Sequence, residues 1–162
     1  MPKIETHEAP VQLEAQRKLA GRLLALDLGQ KRVGMAVSDE LRMTVRPLAA
    51  LNRTNWKQLL RQVSDALKSF DAQALVIGLP LRMDGTEGEA AQAARHIARK
   101  FELSLKVPVY LQDERLTSLE AEETLRAAGF ADDLRRERVD SESAAIILRD
   151  FIERVRGASS AP

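Results

Sequence analysis

The hydrophobic pattern of the chain changes its period near residue 54, and this change constrains the fold more than any other feature. Before it lie three short apolar segments, at Arg22–Leu28, at Val33–Ser38 and around Val45–Leu51. Short apolar segments separated by turn residues are typical of consecutive antiparallel strands. Pro47 cannot donate a ladder hydrogen bond, so the third segment is expected at a sheet edge. This part therefore predicts a three-strand meander.

The second part of the chain alternates helical and strand patterns, which predicts an α/β domain. Thr54 or Asn55 is the expected N-cap of its first helix. The sheet should then be mixed and five-stranded, an antiparallel three-strand meander plus two parallel strands, flanked by helices. The predicted elements are a helix from Trp56 to Phe70, a strand at Ala74–Ile77, a helix ending near Phe101, a strand at Val107–Gln112, and helices at about Ser118–Ala128 and Ser141–Val155.

Length and composition favour one globular domain within the 162 residues. We expect a folded domain over residues 21–156, a flexible polar extension over 1–20 and a frayed tail over 157–162. No apolar run approaches the ~20 residues of a membrane span. The chain has no cysteine, which excludes disulfides and thiolate chemistry; with no secretory signal pattern, this favours the cytoplasm. A net charge of +1 does not by itself indicate nucleic-acid binding.

Asp27 is the most informative single residue, because it stands inside an apolar strand just before the turn at Gly29. An unpaired buried carboxylate is costly, so a metal ion, an arginine or backbone donors should compensate it. Alternatively, Asp27 ends the strand and satisfies the turn through its own backbone. Gly34 in the next strand either admits a ligand or a close backbone, or marks a bulge.

Two further acidic positions follow. Asp113-Glu114-Arg115 ends the last predicted strand, and ligands of open α/β sheets bind outside the carboxyl ends of strands. Because neighbouring strand residues point to opposite faces, one of the two carboxylates should face Asp27. The alternative is a solvated loop in which a carboxylate pairs with Arg115. Asp140 stands where the last helix is predicted to begin, and an N-cap role would also explain it.

Three carboxylates meeting at one sheet edge would repel one another unless a cation joined them. Mg²⁺ or Mn²⁺ suits such an oxygen-only ligand set, and two such ions can promote phosphodiester hydrolysis. Zinc is disfavoured because there is no cysteine and because His7 and His96 lack ligand spacing. The glycine-bearing loop Gly78–Gly88 leads into a helix, for which Thr86 and Glu89 form a predicted capping box. No P-loop or G-x-S-x-G motif occurs.

Four motifs in order resemble the YqgF/RuvX family, and together they cover about Gly21 to Arg156. They are Leu26-Asp27-Leu28-Gly29-Gln30-Lys31-Arg32-Val33-Gly34-Met35-Ala36-Val37-Ser38-Asp39, then Val76-Ile77-Gly78-Leu79-Pro80 with Asp84-Gly85-Thr86-Glu87-Gly88, then Asp113-Glu114-Arg115-Leu116-Thr117 with Glu120-Ala121, and Val139-Asp140-Ser141 with Ala144-Ala145. The resemblance implies an RNase H-like fold, similar to Holliday-junction resolvases. It also implies a nuclease that matures the 5′ end of pre-16S ribosomal RNA in the bacterial cytoplasm.

The resemblance further implies that Asp27, Glu114 and Asp140 bind Mg²⁺ or Mn²⁺ and carry the catalysis, with Asp113 as the alternative to Glu114. The expected partner is pre-rRNA or branched DNA rather than a membrane, and a two-fold dimer would suit a symmetric junction. The candidates for binding phosphates beside the site are Arg32, Arg82 and Arg115. The candidates for binding the nucleic-acid strand further out are Arg135, Arg136 and Arg138. The loops are expected to be shaped by Gly29, Gly34, Gly78 and Gly85.

Other functions remain open from the sequence. A Holliday-junction-type DNA resolvase would use the same carboxylates on another substrate. A non-catalytic nucleic-acid-binding module would need only the arginines. The Asp27-x-Gly29 turn also resembles the phosphate loop of actin-like ATPases and sugar kinases, but those enzymes close two such domains around the nucleotide. One short domain cannot provide that cleft.

Overall fold

The computed structural model describes residues 19–115, 123–124, 126–129 and 132–159, and for residues 132–140 and 159 it describes the backbone only. The predicted extension lies outside the described residues up to residue 18, as does most of the helix predicted at about Ser118–Ala128. No helix in these ranges is long and apolar enough to span a membrane. The elements are β1 (Arg22–Leu28), β2 (Arg32–Ser38), β3 (Val45–Asn52), α1 (Trp56–Ser69), β4 (Ala72–Leu79), α2 (Glu89–Ser104), β5 (Val109–Asp113) and α3 (Asp132–Ser159).

The strands form one mixed sheet in the order β3-β2-β1-β4-β5. β1 pairs antiparallel with β2, and β2 pairs antiparallel with β3. β4 pairs parallel with both β1 and β5. The predicted meander with two added parallel strands is therefore confirmed, and β3, which contains Pro47, lies at the edge.

Each face of the sheet is covered by helices, and strand alternation decides which side chains meet which helix. Leu24 and Leu26 of β1 point into the core that α1 and α2 cover. Leu23 and Ala25 point to the opposite face, where α3 packs. Because side chains alternate along a strand, Asp27 continues the series of Leu23 and Ala25 and lies on the α3 face. The same rule places Gly78 of β4 on that face, after Val76.

The last helix differs most from the sequence prediction. α3 begins at Asp132 rather than near Ser141, so Asp140 lies inside a helix and is not its N-cap. The physical reason is the stretch from Asp132 to Asp140, which contains neither glycine nor proline and is rich in residues that tolerate a helix. The helix also continues to Ser159, so residues 157–159 of the expected tail are helical.

The other two predicted helix caps have different outcomes. Asn55 caps α1, because its Oδ1 accepts a hydrogen bond from the Gln58 backbone N–H at 2.9 Å. The capping box predicted from Thr86 and Glu89 is wrong, since α2 starts after Gly88 with no side-chain cap. Thr86 instead donates its backbone N–H and its hydroxyl to Asp84 Oδ1, at 2.9 and 2.6 Å. Because the Asp84 carboxylate is only two residues away, Thr86 hydrogen-bonds to it in a local turn and does not cap α2.

Ser143 and Ser141 of α3 supply a first prediction. Among the described residues, the fully buried Ser143 hydroxyl has no hydrogen-bond partner, whereas Ser141 Oγ accepts the Met35 backbone N–H at 3.4 Å. An unsatisfied buried hydroxyl is destabilising, so Ser143→Ala should raise the free energy of unfolding by about 1 kcal/mol. The matched Ser141→Ala should lower it by a similar amount. Urea unfolding measures both; a loss of stability in Ser143→Ala would show that its hydroxyl is bonded.

Candidate active site

The carboxyl ends of the three parallel strands meet at one edge of the sheet. Leu26 of β1 is level with Ile77 of β4, so Asp27 and Gly78 come next in neighbouring strands. β4 and β5 end together, with Leu79 opposite Asp113. Immediately after β5, the Glu114 backbone N–H donates to the Leu79 carbonyl at 3.1 Å. This register brings residues far apart in sequence to one place.

The side chains of Asp27 and Glu114 are in contact, joined by a hydrogen bond between their carboxyl groups. Burial raises the pKa of Glu114 to about 9, and the Asp27 charge, the hydrogen bond with Asp27 and the charge of Asp113 act in the same direction. In the metal-free protein the pair of carboxyl groups therefore retains a proton to a higher pH than an ordinary glutamate does. Two contacting carboxyl groups that share a proton form a site in which a cation can replace that proton.

Gly78 makes room for this contact. A Cβ atom at Gly78 would lie 2.5 Å from Glu114 Oε2 and 2.6 Å from Ile147 Cδ1 of α3. Both distances are far below van der Waals contact, so no larger residue fits without displacing one of these side chains. Gly78 was predicted as a loop glycine; it lies inside β4, and it lets the Glu114 carboxyl group reach Asp27 across the sheet.

Gly78→Ala tests this packing. The added methyl should push Glu114 away from Asp27. For the nuclease activity that the sequence resemblance implies, a displacement of ~1 Å should lower the rate about 100-fold. Stability should fall by only about 1–2 kcal/mol, because the displaced atoms are the ends of side chains. Cleavage assays and urea unfolding measure the two effects. The control is Gly157→Ala, where the new methyl meets nothing within 4 Å; equal activity in both variants would contradict the assignment.

Gly34 lies directly opposite Asp27 in the β1–β2 ladder. The pairing of β2 with β3 is irregular between Val33 and Met35, so the glycine also marks a local break in register. One residue further on, the Met35 backbone N–H donates to Ser141 Oγ of α3. α3 therefore passes close to the end of β1 that carries Asp27.

Asp140 immediately precedes Ser141 in α3. Its side chain lies outside the described residues, so its place as the third carboxylate stays a prediction. In the part of the chain that the structure describes, no three acidic or histidine side chains form a metal-binding cluster.

Asp113 has a different environment from Glu114. Its Oδ2 accepts from Arg115 Nε and Nη2, both at 2.8 Å, and its Oδ1 accepts the Arg115 backbone N–H at 2.9 Å. The pairing with Arg115 that the sequence left open is thus formed by Asp113, while Glu114 contacts Asp27. Of the two adjacent acidic residues, Glu114 is the one that the structure brings to Asp27.

The remaining predicted residues lie around this edge or outside the described side chains. Arg32 begins β2 at the same edge of the sheet. Its side chain is partly buried and interacts with another group. Arg82 is exposed, and its guanidinium lies over Gly88 at the start of α2. The carbonyl of Gly29 accepts from Arg53 Nη1 at 2.8 Å. Gly85 takes a positive φ of 85° in a tight turn, which explains a glycine there. The side chains of Arg135, Arg136 and Arg138 lie outside the described residues.

The sequence analysis missed one polar pair beside the site. Arg154 of α3 donates from Nε to Gln112 Oε1 of β5 at 2.9 Å, and burial lowers the pKa of Arg154. This bond ties α3 to the strand that precedes Glu114. A glutamine within an otherwise apolar strand was the signal that could have revealed it.

The order and direction of the strands, with helices on both faces, define an RNase H-like fold. Two solved structures share it. RuvC from Thermus thermophilus in complex with Holliday junction substrate matches with a TM-score of 0.52 and 15% identity, covering 85% of this chain and 97% of that chain. The Fowlpox virus resolvase, in complex with its substrate Holliday junction DNA, matches with a TM-score of 0.50 and 12% identity, covering 83% and 98%.

Sequence comparison identifies the family within this fold. The profile of RuvX, described as Holliday junction resolvase, matches residues 21–154. Relatives named "Putative pre-16S rRNA nuclease" occur in Anaeromyxobacter sp. strain K, at 43% identity over 82% of this chain and 97% of the relative, and in Syntrophus aciditrophicus, at 38% identity over 83% and 89%. The chain belongs to the RuvX family.

Proposed function

We propose that this protein is a metal-dependent nuclease that hydrolyses phosphodiester bonds in the precursor of 16S ribosomal RNA, at its 5′ end. The observation that carries this proposal is the contact between Asp27 and Glu114 at the carboxyl edge of the sheet. The names of the curated relatives support the RNA substrate. We place the activity in the cytoplasm, where ribosomal RNA is processed in bacteria.

The donor set fits a hard divalent cation. Asp27 and Glu114 offer carboxylate oxygens only, and Mg²⁺ or Mn²⁺ prefers such ligands. Asp140 would complete the set from α3. A bound divalent cation would supply an activated water and neutralise charge on the phosphate. Asp27 and Glu114 would hold the cation, and the proton between their carboxyl groups would be released to solvent on binding.

The arginines around the edge would hold the nucleic-acid backbone. Arg82 is exposed and Arg32 begins β2 at the same edge of the sheet, and in this proposal both would contact phosphates near the scissile bond. Arg135, Arg136 and Arg138 would hold the strand further out. Phosphate contacts position a nucleic acid without reading its sequence, so selectivity should come from the shape of the RNA.

The family description favours a second candidate, a resolvase of four-way DNA junctions. One cleavage assay separates the two. Purified protein is incubated in Mn²⁺ with each of three substrates in turn: a 5′ leader of pre-16S RNA, an unrelated single-stranded RNA and a four-way DNA junction. The proposal predicts cleavage of the leader RNA, and EDTA should abolish it. Preferred cleavage of the junction would support the resolvase, and binding without any cleavage would support a non-catalytic module.

A further inference from the structure

Asp113 and Arg115, which flank Glu114, form a closed ion pair. Arg115 uses Nε and Nη2 on one oxygen of Asp113 and its backbone N–H on the other. Two guanidinium nitrogens make this pair two-pronged, and charge-assisted hydrogen bonds are stronger than neutral ones. Both side chains are about one-third exposed, at 38% and 33%. The pair therefore lies at the surface, next to the candidate active site. Its partners differ from those of Glu114, which contacts Asp27.

The remaining nitrogen of Arg115 reaches the loop that follows β4, which we call the rim loop (residues 80–88). Arg115 Nη1 donates to the Met83 carbonyl at 3.4 Å. A Cβ at Gly85 would lie 3.4 Å from the same nitrogen. Arg115 is thus packed against the turn of the rim loop on one side and held by Asp113 on the other.

The rim loop has its own tight structure. The Gly85 backbone N–H donates to the Arg82 carbonyl at 2.8 Å, and the Arg82 backbone N–H donates to the Thr86 carbonyl at 2.9 Å. The turn holds Arg82 and Met83 at the surface, and Met83 is 67% exposed. The loop leaves β4 at Leu79, whose carbonyl accepts the Glu114 backbone N–H. It therefore stands beside the Asp27–Glu114 contact.

We propose that Asp113 and Arg115 are positioning residues, which fix the rim loop so that its outer side binds the nucleic-acid backbone, and that neither residue serves the cation. This inference rests on the proposed nuclease function. It changes the expectation for both residues, since the resemblance implies Asp113 as a possible ligand and Arg115 as a direct phosphate contact. Here Asp113 acts through Arg115, and Arg115 acts through the loop.

Two variants, Arg115→Gln and Arg115→Lys, test whether Arg115 positions the rim loop. Both variants lose the two-pronged pair, so both should raise KM for the pre-16S leader RNA about tenfold, equal to ~1.4 kcal/mol, and leave kcat within about twofold. If Arg115 held phosphate by charge alone, lysine would retain binding and only glutamine would lose it. The matched control is Arg99→Gln, which breaks an exposed pair with Glu102 in α2 and should change nothing.

Asp113→Asn gives the sharper result, because the two accounts predict opposite signs. Removing a negative charge beside a polyanion should tighten binding if Arg115 contacts phosphate directly. If Asp113 positions the loop, the Kd for the same RNA in EDTA should instead rise about tenfold, and the double variant with Arg115→Gln should be no worse than either single variant. Tighter binding, or additive losses in the double variant, would overturn the proposal.

A third readout needs no catalysis. When the pair is broken, the rim loop should open more often, so trypsin should cleave after Arg82 faster in Asp113→Asn and Arg115→Gln than in the wild type. Mass spectrometry of the fragments measures this rate. Failure of the nuclease function would appear as no cleavage of RNA by the wild type, while the trypsin and Kd measurements would still judge the positioning pair. An unchanged rate after Arg82 would overturn it.

Discussion

Asp27→Asn is expected to lower the rate of RNA cleavage by at least about a thousandfold, the scale on which removing an essential catalytic group acts. Asparagine keeps the size of the side chain but loses the charge that would hold a cation. The hydrogen bond to Glu114 can still form, so the variant should fold. Single-turnover cleavage of the pre-16S leader RNA in Mn²⁺ measures the rate.

Binding and a matched control make this result specific. Affinity for RNA in EDTA should stay within about threefold of the wild type, because phosphate contacts by cations dominate nucleic-acid affinity. Asp65→Asn, at an exposed position of α1 on the other side of the sheet, should cleave at the wild-type rate. If Asp27→Asn retained the wild-type turnover, Asp27 would not be part of the catalytic site.

Glu114→Gln should make the metal-free protein more stable at alkaline pH, although it should remove activity. The pKa of Glu114 is raised from 4.5 to about 9 in the folded protein, mainly by burial and then by Asp27. The folded protein therefore holds a proton that the unfolded chain has released between these two values. The free energy of unfolding is therefore highest below pH 4.5, and it falls as the pH rises from 4.5 towards 9.

Glutamine cannot ionise, so Glu114→Gln removes this loss. At pH 8 in EDTA its free energy of unfolding should exceed that of the wild type by a few kcal/mol, at ~1.4 kcal/mol per unit of pKa shift. Urea unfolding from pH 5 to pH 9 measures the difference, which should vanish near pH 4.5. Glu40→Gln, at an exposed position, should follow the wild type throughout. A wild-type stability that does not fall over this range would show that Glu114 is not held in a buried, shared site.

The sheet was largely predictable because the relevant signals are local. The three meander strands, the edge position of the Pro47 strand and the Asn55 cap all follow from side-chain pattern and backbone chemistry within a few residues. The early start of α3 was missed although its signal is also local, because Asp140 followed by Ser141 has the appearance of an N-cap. The stretch before Asp140 contains neither glycine nor proline, so nothing in it stops the helix.

The candidate site was predictable as a set of residues but not as an arrangement. An aspartate in an apolar strand marked Asp27, and the strand end marked Asp113 and Glu114. The choice between those two depended on the parallel register of β4 and β5 and on the space above Gly78. Those are contacts between distant segments, which no local pattern contains. The ion pair between Asp113 and Arg115 is a local contact, and the sequence had offered it as an alternative without showing which of the two carboxylates forms it.

The central claim is that Asp27 and Glu114, with Asp140 from α3, hold a divalent cation. The most direct measurement is anomalous X-ray diffraction from crystals of the protein soaked in Mn²⁺. The account predicts an anomalous peak with oxygens of all three carboxylates about 2.0–2.4 Å away, in the range for hard divalent cations, and no such peak in Asp27→Asn crystals. A structure at saturating Mn²⁺ with no peak between Asp27 and Glu114, or with Asp140 turned away from them, would contradict it.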